Sequence, residues 1–215
     1  MPYSNVDVFL EKWFYGKTVA AKRDLTFYDG AGFRRVHLES PMELLQYFFE
    51  YRDRGFMGLS SQIMGSYNNP SAVERIVLDI DSLPLSKVSK IIIQIRESLG
   101  ALPFTVKTLH GFHLHYFYDR AYEAPKDLLS TFLGASVFLL IDYAPEVAET
   151  DLHVPTDISR CPRLPYAKIV KGDGEALAVP VNSLNLKEVL EPEKAIKHLE
   201  SALFDTPLPP SFSRE

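Results

Sequence analysis

Three segments of the chain concentrate the side chains that could do chemistry. The first is ERIVLDID, Glu74 to Asp81. Strand side chains alternate, so Val77, Asp79 and Asp81 share one face and Ile76, Leu78 and Ile80 the other. Two carboxylates about 6–7 Å apart on one face repel each other and are costly to bury unless a cation sits between them. Near the end of an apolar strand, just before Pro84, they make an oxygen-rich pair suited to a hard divalent ion such as Mg2+ or Mn2+. In isolation, two solvated acids on an edge strand would read the same way.

The second segment is KTLHGFHLHYF. Gly111 is expected to take a positive φ that lets the turn approach a phosphate closely. The strand after it places His113, His115 and Phe117 on one face. Such a histidine pair lacks the further soft ligands zinc would need, and His113 alone also reads as a hydrogen-bonded structural residue. The third segment, DLHVPTDISRCPRLPYAKIVKGDG, sets Asp151 and Asp157 before Arg160, Arg163, Lys168 and Lys171. In nucleotidyl transfer a third carboxylate completes the coordination of two metal ions, and Arg and Lys neutralise a triphosphate. By itself that charge run is a solvated surface; the three segments together are far more specific.

These segments need elements to hold them. SNVDVFLEKWF, residues 4–14, reads as an amphipathic helix, and KRDLTFY and GFRRVHL as two strands about the turn DGAG. Ser40 caps a helix with Pro41 in its first turn, running to about Tyr51 and closed by Gly55. GFMGLSSQIM reads as one strand, SYNNPS as a loop, and IVLDID as the clearest strand in the chain. Ser86 to Leu99 predicts a helix stopped by Gly100, FTVKTL and HLHYFY a hairpin, and residues 125–140 a buried helix beginning at Pro125. DLHVPTDISRCPRLPYAKIV reads as extended, ALAVPV as a short strand, and LKEVLEPEKAIKHLESALF as helix broken near Pro192. The interleaving predicts an α+β or α/β core, with α+β, mixed or antiparallel sheets and flanking helices the fold expected, as a single core over 1–204 with a flexible tail or linker over 205–215.

Composition sets the outer limits. With 46% hydrophobic residues, 215 positions can fill one core or two small lobes around a cleft. Net charge is -5, from 23 Lys and Arg against 28 Asp and Glu, so any nucleic-acid contact must come from local patches or a partner. Cys161 is the single cysteine, which excludes an intramolecular disulfide and a multi-cysteine zinc knuckle and reads as a packed or incidental thiol. No apolar run reaches a membrane span and the first residues lack a signal-peptide layout, so a cytoplasmic protein is expected, nucleoid-associated if the source is prokaryotic or archaeal.

The order and wording of the three segments resemble the small catalytic subunit of archaeal and eukaryotic DNA primases, the archaeo-eukaryotic primase or prim-pol superfamily. That family has an apolar strand ending in Asp-x-Asp, a Ser-Gly-Arg-Gly-x-His turn, and an Asp followed by Val-Thr-x-Asp and Arg-Leu-x-Arg-Leu-Pro. VLDID, TLHGFH and DLHVPTDISRCPRLP are similar to these, and KRDLTFY, RRVHL and SPMELLQYF resemble the family's N-terminal segments, so the likeness spans about residues 10–180. It implies a core of two intimately packed α/β modules, one of them RRM-like, enclosing a catalytic cleft. Asp79, Asp81 and Asp151 would be catalytic and would hold two Mg2+ or Mn2+ ions, with no structural zinc. Thr108, His110, His113, Arg163 and Lys171 would bind nucleotide, and Arg34 or Arg35 would contact an initiating one. His110 stands where the family has arginine and Ile169 where it has histidine, and the stretch between the second and third motifs is too short for the family's helical insertion. The implied activity is DNA primase or primase-polymerase synthesis on single-stranded DNA from nucleoside triphosphates, with a large primase subunit or a helicase as partner. The alternative is a non-catalytic accessory subunit of a replication complex that keeps the fold. A phosphatase built on DIDSL is disfavoured because Leu83 stands where its threonine or valine belongs.

Overall fold

The computed structural model describes residues 4–209. Helix α1 (Asn5–Tyr15) starts from a capping box in which Ser4 accepts from the Asp7 N–H and Asp7 accepts from the Ser4 N–H. Strands β1 (Arg23–Tyr28) and β2 (Phe33–Leu38) form a hairpin, and Ser40 caps α2 (Pro41–Tyr51). That helix closes at Arg52, ahead of Gly55.

The expected single strand GFMGLSSQIM is instead two, β3 (Met57–Leu59) and β4 (Ile63–Ser66), which belong to different sheets. Buried Ser60, Ser61 and Gln62 carry the chain between them. Strand β5 (Asn69–Asp81) takes in the second half of SYNNPS and all of IVLDID. Helix α3 (Leu85–Leu99) follows, ended by Gly100 in the left-handed conformation as its sequence requires. Strands β6 (Phe104–Lys107) and β7 (Gly111–Glu123) make the expected hairpin, and α4 (Lys126–Tyr143) begins one residue after Pro125.

Several expectations fail beyond this point, among them ALAVPV, whose residues fall into two strands of different sheets. HVPT is a short helix, α5 (His153–Thr156), not extended chain. LKEV lies in strand β11 (Asn185–Val189), whereas α6 (Pro192–Glu200) and the π-helical turn Ser201–Asp205 that continues it are helical as expected, with Pro192 at the first turn where a missing N–H costs nothing. Between them come β8 (Lys168–Lys171), β9 (Gly174–Leu177) and β10 (Val179–Asn182). The expected flexible tail is docked in its described part: buried Leu208 donates its N–H to Phe117 O at 2.6 Å. Residues 210–215 lie outside the described part.

The fold is α+β, with a six-stranded sheet in the order β11-β10-β6-β7-β5-β4, a three-stranded sheet β2-β1-β3, and the β8-β9 pair. One face of the large sheet, with Ile76, Leu78, Ile80, Leu114 and Tyr116, packs on α3 and α4 through Val88, Ile91, Ile95, Phe132 and Leu133. The other face, with Phe104, Val106 and Phe117, joins a second cluster in which α1 gives Phe9, Leu10, Trp13 and Phe14 and the small sheet gives Leu25 and Phe27. Each such buried side chain contributes about 1.5–3 kcal/mol of transfer free energy. The alternation inferred for β5 therefore holds, and Asp79 and Asp81 belong to the face shared with α1 and the small sheet. No helix among the described residues is long and apolar enough to cross a membrane.

Candidate active site

A cleft of about 520 Å³ opens where that face of β5 runs out. Asp79, Asp81, Asp151, Thr108, His110, His113, Arg163 and Lys171 all line it. So do Arg35, Arg160 and Asp157, together with Thr26, Phe56 and Val154, which the sequence did not single out.

The floor is built by strand register. Asp79 pairs with His113 and Asp81 with Gly111 across β5 and β7. His113 Nε2 lies 3.4 Å from Asp79 Oδ1, a polar contact without hydrogen-bond geometry, and that oxygen is buried. Burial disfavours the Asp79 charge, yet His113 beside it, with Arg160 and Arg163 beyond, outweighs burial and holds the carboxyl below its ordinary range. Asp81 is exposed at the strand end. The next residue, Ser82, has φ 65° and donates its N–H to His110 O at 3.1 Å, tying the first segment to the second.

Gly111 serves a purpose other than the expected one. Its φ is not positive. A Cβ there would overlap the carbonyl oxygen of Ile80, so glycine is required for β7 to start flush against β5. Thr108 closes the turn: its N–H donates to Gly111 O at 2.9 Å and its Oγ1 accepts from the Gly111 N–H at 3.2 Å.

The wall belongs to the third segment. Residues 160–164 run antiparallel along β3: the Leu59 N–H donates to Pro162 O, the Leu164 N–H to Met57 O, and Gly58 stands opposite Arg163. A Cβ on Gly58 would overlap Cys161 O, so a second glycine permits this contact. Arg163 is stacked over Phe56, its guanidinium carbon 4.0 Å from the ring centroid. Burial pulls its pKa down while Asp79 and Asp81 pull the other way, and the net shift is downward. Arg35 reaches the wall from β2, held by the fully buried Asp24, whose Oδ2 accepts from its Nε at 2.9 Å and whose Oδ1 lies 2.8 Å from His37 Nδ1. Cys161 donates through Sγ to Asp24 O at 3.5 Å.

Asp151 is turned to the start of α5, Oδ1 accepting from the His153 N–H at 3.0 Å. Asp157 likewise accepts from the N–H and Oγ of Ser159. Among the described residues no three His, Cys, Asp or Glu side chains stand close enough together to hold a metal ion. The cleft's carboxylates nonetheless suit a hard cation: one Asp79 oxygen is buried without a hydrogen bond, and Arg35, Arg160, Arg163 and Lys171 line the same space.

Solved structures with a similar fold decide what kind of scaffold carries this cleft. The polymerase domain of Mycobacterium tuberculosis ligase D, in complex with DNA, matches with a TM-score of 0.53 at 13% identity, over 90% of this chain and 86% of that one. This is an archaeo-eukaryotic primase-like fold. Primase RepB' matches with a TM-score of 0.53 at 13% identity, and the AEP domain of the cyanophage S-2L primase-polymerase with 0.50 at 14%. The match covers 92% of this chain and 62% of the RepB' chain, and 93% of this chain and 100% of the cyanophage domain. No protein-family model and no curated protein sequence matches the chain. At such identities the primase-like fold is what these likenesses establish.

Proposed function

We propose that this chain is a nucleotidyltransferase of the primase or primase-polymerase type, joining nucleotides on a single-stranded DNA template. One observation carries the reading: acidic floor residues and a cationic wall, drawn from three distant segments, line one cleft on a primase-like fold. The reaction is attack of a 3′-hydroxyl on the α-phosphate of a nucleoside triphosphate, with pyrophosphate leaving.

Asp79, Asp81 and Asp151 would hold two divalent ions, Mg2+ or Mn2+, which supply Lewis acidity toward the hydroxyl and the triphosphate. Arg163, Arg160 and Lys171 offset phosphate charge from the wall, with Arg163 rigid because Phe56 supports its plane. Thr108 and His110 border the phosphates from the β6–β7 turn. His113 orients Asp79 and contacts nucleotide, and Arg35, fixed by Asp24, meets the initiating nucleotide or the template. The domain reading is one core of two packed α/β modules, with a large primase subunit or a helicase as partner.

The turn of Asp151 toward His153 also suits a non-catalytic accessory subunit. Purified protein with Mn2+, single-stranded template and labelled nucleotides separates the two: extended oligonucleotides support the transferase, and their absence in a reconstituted complex supports the accessory role.

A further inference from the structure

The sheet face that ends in the cleft continues inward. Arg75 pairs with Phe117, Val77 with His115 and Asp79 with His113, so a row of polar groups runs Arg75, His115, His113, Asp79 from the interior to the floor. The His115 ring is 6.1 Å from that of His113 and 4.8 Å from that of Trp13, which also carries the Arg75 guanidinium 4.4 Å from its centroid. Arg75 and His115 are fully buried. Arg75 Nε donates to Ser61 O at 3.0 Å and Nη2 to Ser60 O at 3.4 Å.

Arg75 Nη1, both nitrogens of His115 and Nδ1 of His113 make no hydrogen bond among the described residues. Core filling does not account for them. A phenylalanine would occupy the His115 position against Trp13 without stranding two polar atoms, and stranded polar atoms in an interior are costly. Burial, then the charge of Arg75, keeps His115 far below the ordinary imidazole range, so the ring is neutral, with one donor and one acceptor. Such a ring can fix the tautomer of a neighbouring imidazole through one shared water.

We propose that Arg75 and His115 are positioning residues for His113, holding its ring so that Nε2 is presented to Asp79 and the cleft. The consequence for turnover rests on the nucleotidyl-transfer reading; the orientation does not.

The test compares the full chain with His115→Phe, His115→Asn, Arg75→Met and Arg75→Lys. Nitrogen-15 NMR of histidine-labelled protein reads the His113 tautomer, assigned by its loss in His113→Gln, and steady-state synthesis with Mn2+ reads KM and kcat. The expected result is one tautomer in the parent chain. In folded His115→Phe and Arg75→Met both tautomers should appear and the nucleotide KM should rise about 10-fold with kcat little changed, Asn and Lys restoring part of each. An unchanged tautomer in folded His115→Phe overturns the proposal. Should Arg75→Met not fold, Arg75→Lys decides for Arg75. A parent chain that makes no product overturns the transferase reading alone, because the NMR comparison still decides the positioning.

Discussion

Asp79 and His113 face each other as register partners on β5 and β7, with His113 Nε2 3.4 Å from Asp79 Oδ1 at the floor of the cleft. The contact joins the first and second motif segments, and with Arg160 and Arg163 it favours the Asp79 charge against burial.

Replacing either floor acid tests the assignment directly. Asp79→Ala and Asp81→Ala are each expected to reduce primer synthesis below detection while leaving the circular dichroism spectrum unchanged. Full synthesis by Asp81→Ala would remove it from the catalytic set.

Gly111→Ala places a methyl against the Ile80 carbonyl, which belongs to backbone that cannot swing aside. The expected loss is roughly 3 kcal/mol of stability, in the range for overpacking, measured by urea denaturation. A variant as stable as the parent would show that the two strands can separate there.

His115 sets a pH dependence. Its folded pKa lies well below the unfolded value near 6.5, so below about pH 6.5 the unfolded chain takes up a proton that the native chain refuses. The stabilisation is fully present above that pH and is lost on acidification at up to ~1.4 kcal/mol per pH unit. Stability measured from pH 7.5 to 5 should fall less steeply in His115→Phe than in the parent. Parallel slopes would place His115 in water.

Arg23 and Glu74 form a fully buried ion pair at 2.5 Å, with Arg75 Nε 3.7 Å from the same carboxylate oxygen. Glu74→Gln strands two buried guanidinium groups and should cost about 3–5 kcal/mol, whereas Arg23→Met with Glu74→Met should cost much less. Equal losses in chemical denaturation would mean that the charges act independently.

Much of this was legible in the sequence, because alternation and glycine punctuation are local signals. Asp79 and Asp81 on one face, the helix ending at Gly100 and the pairing of FTVKTL with HLHYFY as a hairpin all follow from neighbours within a few residues. The division of GFMGLSSQIM between two sheets was not legible, since only strand partners distant in the chain decide it. LKEV was read as helix because its leucine, valine and charges suit either period, and pairing with β10 settles it. Gly111 was assigned a turn role because no sequence pattern reveals the Ile80 carbonyl behind it. Arg23, Glu74 and Arg75 carried a readable signal, three charges in otherwise apolar strands, whose meaning required the fold.

The passage of the chain through Ser60, Ser61 and Gln62 has a mechanical consequence. Ser60 exchanges hydrogen bonds with the Asp24 backbone, Ser61 O accepts from Arg75, and Gln62 donates to Arg75 O while its own carbonyl accepts from Ser60. These bonds lie in desolvated surroundings and fasten the small sheet to the large one beside the cleft. Parting the sheets would break the bonds to Asp24 or those to Arg75. The spacing of the two sheets that frame the cleft is therefore set by hydrogen bonds shielded from water, which gives the cleft the character of a fixed jig.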